Sequence, residues 1–290
     1  MNISLKVHDL GFLQIDPLPT PAELTEFYEK LYYQDSKSST YQHSYSSEEL
    51  QYINNKIAQK ANILFKKTKS PGRLLDVGCG EGFVLAYFLK FGWSVYGIDY
   101  SDFGINNLNP DLAANFEKGD IYTIIDKKIK DGEKFEISWL GNVLEHVPDP
   151  IGLLINLKKL LQDDGNLVIT VPNDGSKYQD LLLNEGFVNR KWWVAYPDHL
   201  SYFNNESLKS ICEFAGYNVC ELLGDFPIDF FLLHSGSNYI NDTSKGKLAH
   251  QARVRMENFI SNNGIDDANQ FFSSLAKVGL GRDLTIFLTL

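Results

Sequence analysis

The stretch Leu74-Leu75-Asp76-Val77-Gly78-Cys79-Gly80-Glu81-Gly82 decides how this chain is read. An apolar run, RLLDV, closes on three glycines in five positions, and helical spacing follows from Gly82 to Phe91. Glycines let backbone approach a ligand closely, and a helix start aims N–H groups at it. A dinucleotide turn needs G-x-G-x-x-G. That would place glycine at position 83, where Phe83 stands, so the spacing here is G-x-G-x-G. Asp76, just before the loop, would repel a pyrophosphate. It suits a zwitterionic ligand with a cationic amine.

Outward from this turn the pattern repeats. SVYGI (94–98), FEISWL (135–140) and NLVITV (166–171) read as strands, with helical stretches after Ser101 and over 151–162. Strands alternating with helices predict βαβ units and a parallel sheet. Such a sheet binds ligands beyond the carboxyl ends of its strands. Residues 172–204 read as irregular and aromatic-rich. A helix over 206–215 ends at Gly216, the YNVCELL strand follows, a helix covers about 245–262, and DLTIFLTL (283–290) alternates like a last strand. Upstream, Thr20-Pro21 with Glu23, and Ser46 with Glu49, have the spacing of helix starts. Leu50, Ile53, Ile57, Ala61 and Leu64 then share one helix face. The expected organisation is an N-terminal helical cap over 1–72 and a main domain over 73–290. Insertions at about 172–204 and 225–280 cover its ligand edge.

The composition excludes several classes. The chain has 290 residues, 43% of them hydrophobic, with no repeat period, which argues against disorder and coiled coil. Its 37 acidic and 27 basic side chains leave a net charge of −10. That balance repels nucleic acid unless a basic patch is set apart. The lysines at 66, 67 and 69, and at 127, 128 and 130, are too few for one and read as solvated helix ends or turns. Cys79, Cys212 and Cys220 form no CxxC pair, so neither zinc nor a disulfide framework is suggested. No apolar run approaches the ~20 residues of a membrane span. A reducing, cytoplasmic setting is expected.

Asp99 ends the second strand, 21 positions after Gly78 (99 − 78), the distance at which an acidic side chain reaches ribose hydroxyls. Lys118-Gly119-Asp120 falls at the end of the third strand, and Gly141-Asn142-Val143-Leu144-Glu145-His146-Val147-Pro148-Asp149-Pro150 follows the fourth. In this order the elements resemble the class I S-adenosylmethionine-dependent methyltransferases, most closely over residues 73–171. The resemblance implies a Rossmann-like α/β fold: a seven-stranded, mostly parallel sheet, helices on both faces, and an antiparallel last strand. It implies S-adenosylmethionine as cofactor. Asp76 and the loop Gly78, Cys79, Gly80 and Gly82 would hold the methionine end. Asp99 would bind the ribose with Tyr100 beside the adenine, Gly119, Asp120 and Ile121 would meet the adenine edge, and Asn142 would lie beneath.

Methyl transfer asks the protein to align the acceptor, exclude water and, for a hydroxyl, remove a proton. Histidine suits the last task. Two candidates stand out. His146 lies in LEHVPDP, which resembles the ubiquinone-pathway O-methyltransferases, some of which bind a divalent metal through ExxEH. The first carboxylate of that pattern is replaced by Asn142, and no metal ligands are assigned. His199 lies in Tyr196-Pro197-Asp198-His199, which resembles methyltransferases of nucleotide sugars and surface polysaccharides, with Tyr196 and His199 flanking the acceptor and Asp198 beside the base. For both histidines a structural role in a turn or cofactor loop stays open.

The segment from Asp16 to Tyr45 also resembles the lead-in of those sugar enzymes, and Tyr41 and Tyr45 could close over the cofactor or be surface tyrosines. Trp192, Trp193 and Tyr196 suit an acceptor wall or a dimer contact. Arg282 suits an acceptor phosphate or a turn. The leading expectation is O-methylation of a small sugar-containing acceptor in polysaccharide biosynthesis, with a homodimer allowed. A quinone-like phenol as acceptor, or a non-catalytic binding module, is the alternative.

Overall fold

The computed structural model describes residues 4–20, 22–24, 26–27, 44–68 and 70–290. Its first element corrects the helical lead-in. Residues at the N-terminus form a hairpin, β1 (Ser4–Val7) and β2 (Leu13–Asp16), joined across Gly11, whose φ of 84° a side chain rarely adopts. The second partner of β2 is β8 (Ser201–Tyr202), with Leu13 opposite Tyr202. That pairing spans most of the chain, so the short alternating runs carry no local sign of it.

The helix read after Ser46 is present as α1 (Ser47–Phe65), with a full capping box from Ser46 and Glu49. Its Ile57, Ala61 and Leu64 are buried, while Leu50 stays exposed. The glycine loop joins β3 (Arg73–Val77) to α2 (Phe83–Lys90). Then follow β4 (Ser94–Asp99), α3 (Phe103–Leu108), β5 (Phe116–Lys118) and α4 (Ile121–Lys130). β6 (Phe135–Gly141), α5 (Pro150–Leu160) and β7 (Leu161–Pro172) complete the alternating half. The region read as irregular contains α6 (Lys177–Asn184), capped by Ser176 and Gln179, besides β8. α7 (Asn205–Phe214), β9 (Asn218–Leu223), α8 (Gly246–Asn262), α9 (Ile265–Lys277) and β10 (Asp283–Thr289) end the chain.

The main sheet has seven strands in the order β5-β4-β3-β6-β7-β10-β9. Its pairs are parallel from β5 to β7, and β10 runs antiparallel to both β7 and β9. The side-chain period of two sorts the strands onto two cores. Leu75, Val77, Leu140 and Ile169 meet Leu153, Leu157, Leu208 and Ile211 on one face. Leu74, Ile137, Trp139, Val168 and Phe287 meet Ile57, Leu64, Phe88 and Phe272 on the other. Helices α4 and α9 were not anticipated. Lys128 on α4 is buried, not solvated: its amine bonds Glu133 at 3.0 Å and lies 3.5 Å from the Tyr96 ring centre.

A charged cluster ties α1 and α8 to the ligand edge. Asp225, just past β9, accepts from Lys56 at 2.9 Å and from Arg253. Its other oxygen accepts the backbone N–H groups of Arg282 (2.6 Å) and Asp283 (2.8 Å). The turn into β10 is thus held by one buried carboxylate.

Candidate active site

The glycine loop is shaped by sterics. Gly78, Gly80 and Gly82 all have positive φ, and a Cβ on Gly78 would lie 2.2 Å from Val143 Cγ2. The N–H groups of Gly78 and Cys79 donate to the Ile98 carbonyl at 2.8 and 3.1 Å, so the loop hangs from the end of β4. Asp99 fastens it further, accepting from Gly80 N–H at 2.8 Å and Ser101 N–H at 2.9 Å, one bond on each carboxylate oxygen. The Cys79 thiol points into the core, close enough that a Cβ on Gly97 would meet its sulfur at 2.8 Å. Only its backbone faces the loop. No side chain caps α2, so its first N–H groups are left for other partners.

Asp76 is 2% exposed and its carboxylate has no hydrogen-bond donor among the described residues. Burial, and then the charge of Asp99, push its pKa up to about 8. A buried acid so placed calls for a cation. Tyr45 donates to both oxygens of Glu81, at 2.6 and 2.8 Å, and its ring stands edge-on to Phe83. It therefore lies on the glycine loop, whereas Tyr41 is outside the described residues. Tyr100 is exposed beyond β4. Asp120 caps α4, accepting from Thr123 N–H at 2.8 Å, with Gly119 and Ile121 on either side. Asn142 is exposed, has a left-handed φ of 55°, and donates its N–H to the Thr170 carbonyl at 2.8 Å.

Beyond β6 and β7 the structure brings both candidate histidines together. The rings of His146 and His199 stand edge to face with centres 4.8 Å apart. His146 Nδ1 lies 2.7 Å from the Asp198 carbonyl and 3.2 Å from its carboxylate. Burial opposes charge on His146, but the bonds to Asp198 and the charges of Glu145 and Asp198 together outweigh it, and the pKa rises to about 9. His199 differs: burial, and then the cation at His146, push it down to about 4. At neutral pH one ring carries a proton and its neighbour a lone pair. The His199 Nδ1 is buried without a partner among the described residues. Tyr196, by contrast, is exposed.

One residue that the sequence reading did not select belongs here. Glu145 is 2% exposed, both its oxygens lack donors among the described residues, and one lies 3.8 Å from His146 Nε2. Burial raises its pKa to about 7. Its place beside His146 in the motif was visible, but its burial was not. Ligand atoms of Glu145, His146 and His199 lie within 4.8 Å of one another, and a cation seated there would have to displace the His146 proton. Arg282 is engaged by Asp174 at 2.6 Å. Trp193 is buried against Tyr202, at a ring distance of 5.2 Å, and acts as an anchor of the 190–203 segment.

The sequence profile of a family described as methyltransferase domain matches residues 48–222. The chain is 27% identical over 175 residues to the ubiquinone biosynthesis O-methyltransferase of Actinobacillus pleuropneumoniae serotype 7 (strain AP76), covering 58% of this chain and 73% of that protein. It is 28% identical over 196 residues to the ubiquinone biosynthesis O-methyltransferase of Glaesserella parasuis serovar 5 (strain SH0165), covering 62% and 79%. Among solved structures, a SAM dependent methyltransferase from Archaeoglobus fulgidus aligns over 92% of this chain and 99% of its own, at TM-score 0.51 and 19% identity, a likeness of fold.

Proposed function

The chain belongs to the methyltransferase domain family and is a class I, S-adenosylmethionine-dependent methyltransferase, and from that premise we propose that it methylates a hydroxyl of a small acceptor with His199 as base. The observation that carries the cofactor's placement is the unpaired, buried Asp76 carboxylate beside the glycine loop. It suits the ammonium of the methionine end. Asp99 keeps free lone pairs for ribose hydroxyls while holding the loop, and Tyr45 adds a wall over Glu81. When bound, the cofactor supplies an electrophilic methyl group on a sulfonium sulfur.

The protein's own part is to hold and to move a proton. His146, protonated and paired with Asp198, has no lone pair to offer at neutral pH. His199 has one, and takes the acceptor's hydroxyl proton. Its low basicity means that the proton moves as the new O–C bond forms, when the hydroxyl is most acidic. Glu145, poised near neutrality, orients the acceptor hydroxyl.

For the acceptor, the relatives' O-methyltransferase names support a phenolic, quinone-like molecule ahead of a sugar. One observation favours the sugar as a second reading: Glu145, Asp174, Asp198 and Arg282 make the surroundings of the histidines polar. No described helix is long and apolar enough to cross a membrane. Calorimetry with S-adenosylmethionine and NAD tests the cofactor, with binding expected for the first alone. Methyl transfer to catechol against a UDP-hexose tests the acceptor, and turnover of the sugar alone would reverse their order.

A further inference from the structure

The segment that carries His199 is held from several sides, and one holder is a hydroxyl that plays no part in the chemistry. Tyr202 is 1% exposed. Its OH donates to the His199 carbonyl at 3.0 Å and accepts the Ala195 N–H at 3.2 Å, while His199 N–H donates to the Ala195 carbonyl at 2.7 Å. The hydroxyl therefore bridges both ends of the turn that presents the imidazole. A phenylalanine would bury the same ring without desolvating a hydroxyl, so the polar atom has to be matched by these two bonds.

Tyr202 is itself fixed by elements remote in sequence. It stands opposite Leu13 of β2, and Ile15 N–H donates to the Leu200 carbonyl at 2.9 Å. On the other side the N–H groups of Leu200 and Ser201 donate to the Glu145 carbonyl at 2.8 and 3.0 Å. The N-terminal hairpin and the loop after β6 thus grip residues 200–202 between them.

We propose that Tyr202 is a positioning residue for His199, and that the hairpin β1–β2 is part of the acceptor site because it seats Tyr202. The proposal rests on His199 being the base. Tyr202 touches no reacting atom. It acts by keeping the ring where the acceptor hydroxyl must arrive, and misplacement of about 1 Å can cost on the order of 100-fold in rate.

The test uses the full chain with S-adenosylhomocysteine bound and its histidines labelled for NMR, the His199 signal being assigned by its loss in His199→Ala. In Tyr202→Phe that signal is expected to move, since the ring shifts relative to His146, Asp198 and Arg282, the charged groups that face it. Turnover of catechol, the probe acceptor, should fall about 10-fold or more with KM and cofactor affinity within about twofold. Gly11→Val, which strains the hairpin turn where it touches Ser207, should move the signal the same way by less. An unmoved His199 signal in Tyr202→Phe, or in Gly11→Val if the first variant does not fold, overturns the proposal, whether or not catechol is turned over. A fully active His199→Ala would instead remove the base and leave the signal to judge the mount.

Discussion

Asp76 separates two things that usually travel together, stability and binding. Its acid is held neutral by burial, with the folded pKa near 8 against an ordinary value near 3.8. The folded chain therefore binds the extra proton between those values, and without cofactor its stability falls as pH rises from about 4 to 8. Asp76→Asn should be more stable than the parent at pH 8 by thermal melting, with the difference closing toward pH 4. The same change removes a charge-assisted bond worth about 1.5–3 kcal/mol, so cofactor affinity should drop roughly 10- to 100-fold by calorimetry. The histidines give a second test at this scale. His199 must be neutral and His146 charged, which brackets the active range between about pH 4 and 9. The rate should change at both limits, with a smaller step near pH 7 where Glu145 titrates. His146→Gln should abolish the alkaline change and, by removing the cation that lowers His199, move the acid change to higher pH.

At the scale of elements, the ligand edge is assembled by groups that lie well away from the glycine loop. Asp225 is buried, and burial alone would raise its pKa; Arg253 and Lys56 overcome that and hold the carboxyl well below the ordinary range. That stability is present above the unfolded pKa and is lost as pH falls through the folded one. Asp225→Asn takes the nearest anion from Lys56 and Arg253, which keep Glu257 and Asp283 as partners, and should cost about 1.5–3 kcal/mol, seen as a fall in melting temperature. The amide oxygen can still accept the N–H groups of Arg282 and Asp283, so the turn should hold in this variant and be released in Asp225→Ala. Capping was readable in advance: the Ser46–Glu49 pair was predicted and is present. Ser46→Ala should cost about 1 kcal/mol in melting experiments and leave cofactor affinity intact. The hairpin was not readable. Strands of four residues look like any short extended run, and β2 is a strand because it pairs with β1 and with the remote β8.

Across the whole molecule, two cores flank one sheet, and strands β3, β4, β6, β7 and β9 end at the same edge as the start of β10. A ligand bound along that edge bridges elements from both halves. At 100 times its Kd it adds about 2.7 kcal/mol. S-adenosylhomocysteine should therefore raise the melting temperature and slow amide exchange at 78–82 and 99–101 while leaving β1 unchanged. The alternating half was legible because strand and helix differ in period, and because RLLDVGCGEG joins an apolar run to glycines that only a tight, ligand-facing turn requires. The family followed from that local information, and the antiparallel last strand from the resemblance it carried. Which histidine carries the proton did not. His146 and His199 are 53 positions apart (199 − 146), and their opposite charge states come from burial, from Asp198 and from each other. Glu145 and Tyr202 escaped for the same reason. Periodicity and spacing are properties of neighbours along the chain, whereas desolvation and charge coupling depend on neighbours in space, which exist only once the sheet has closed.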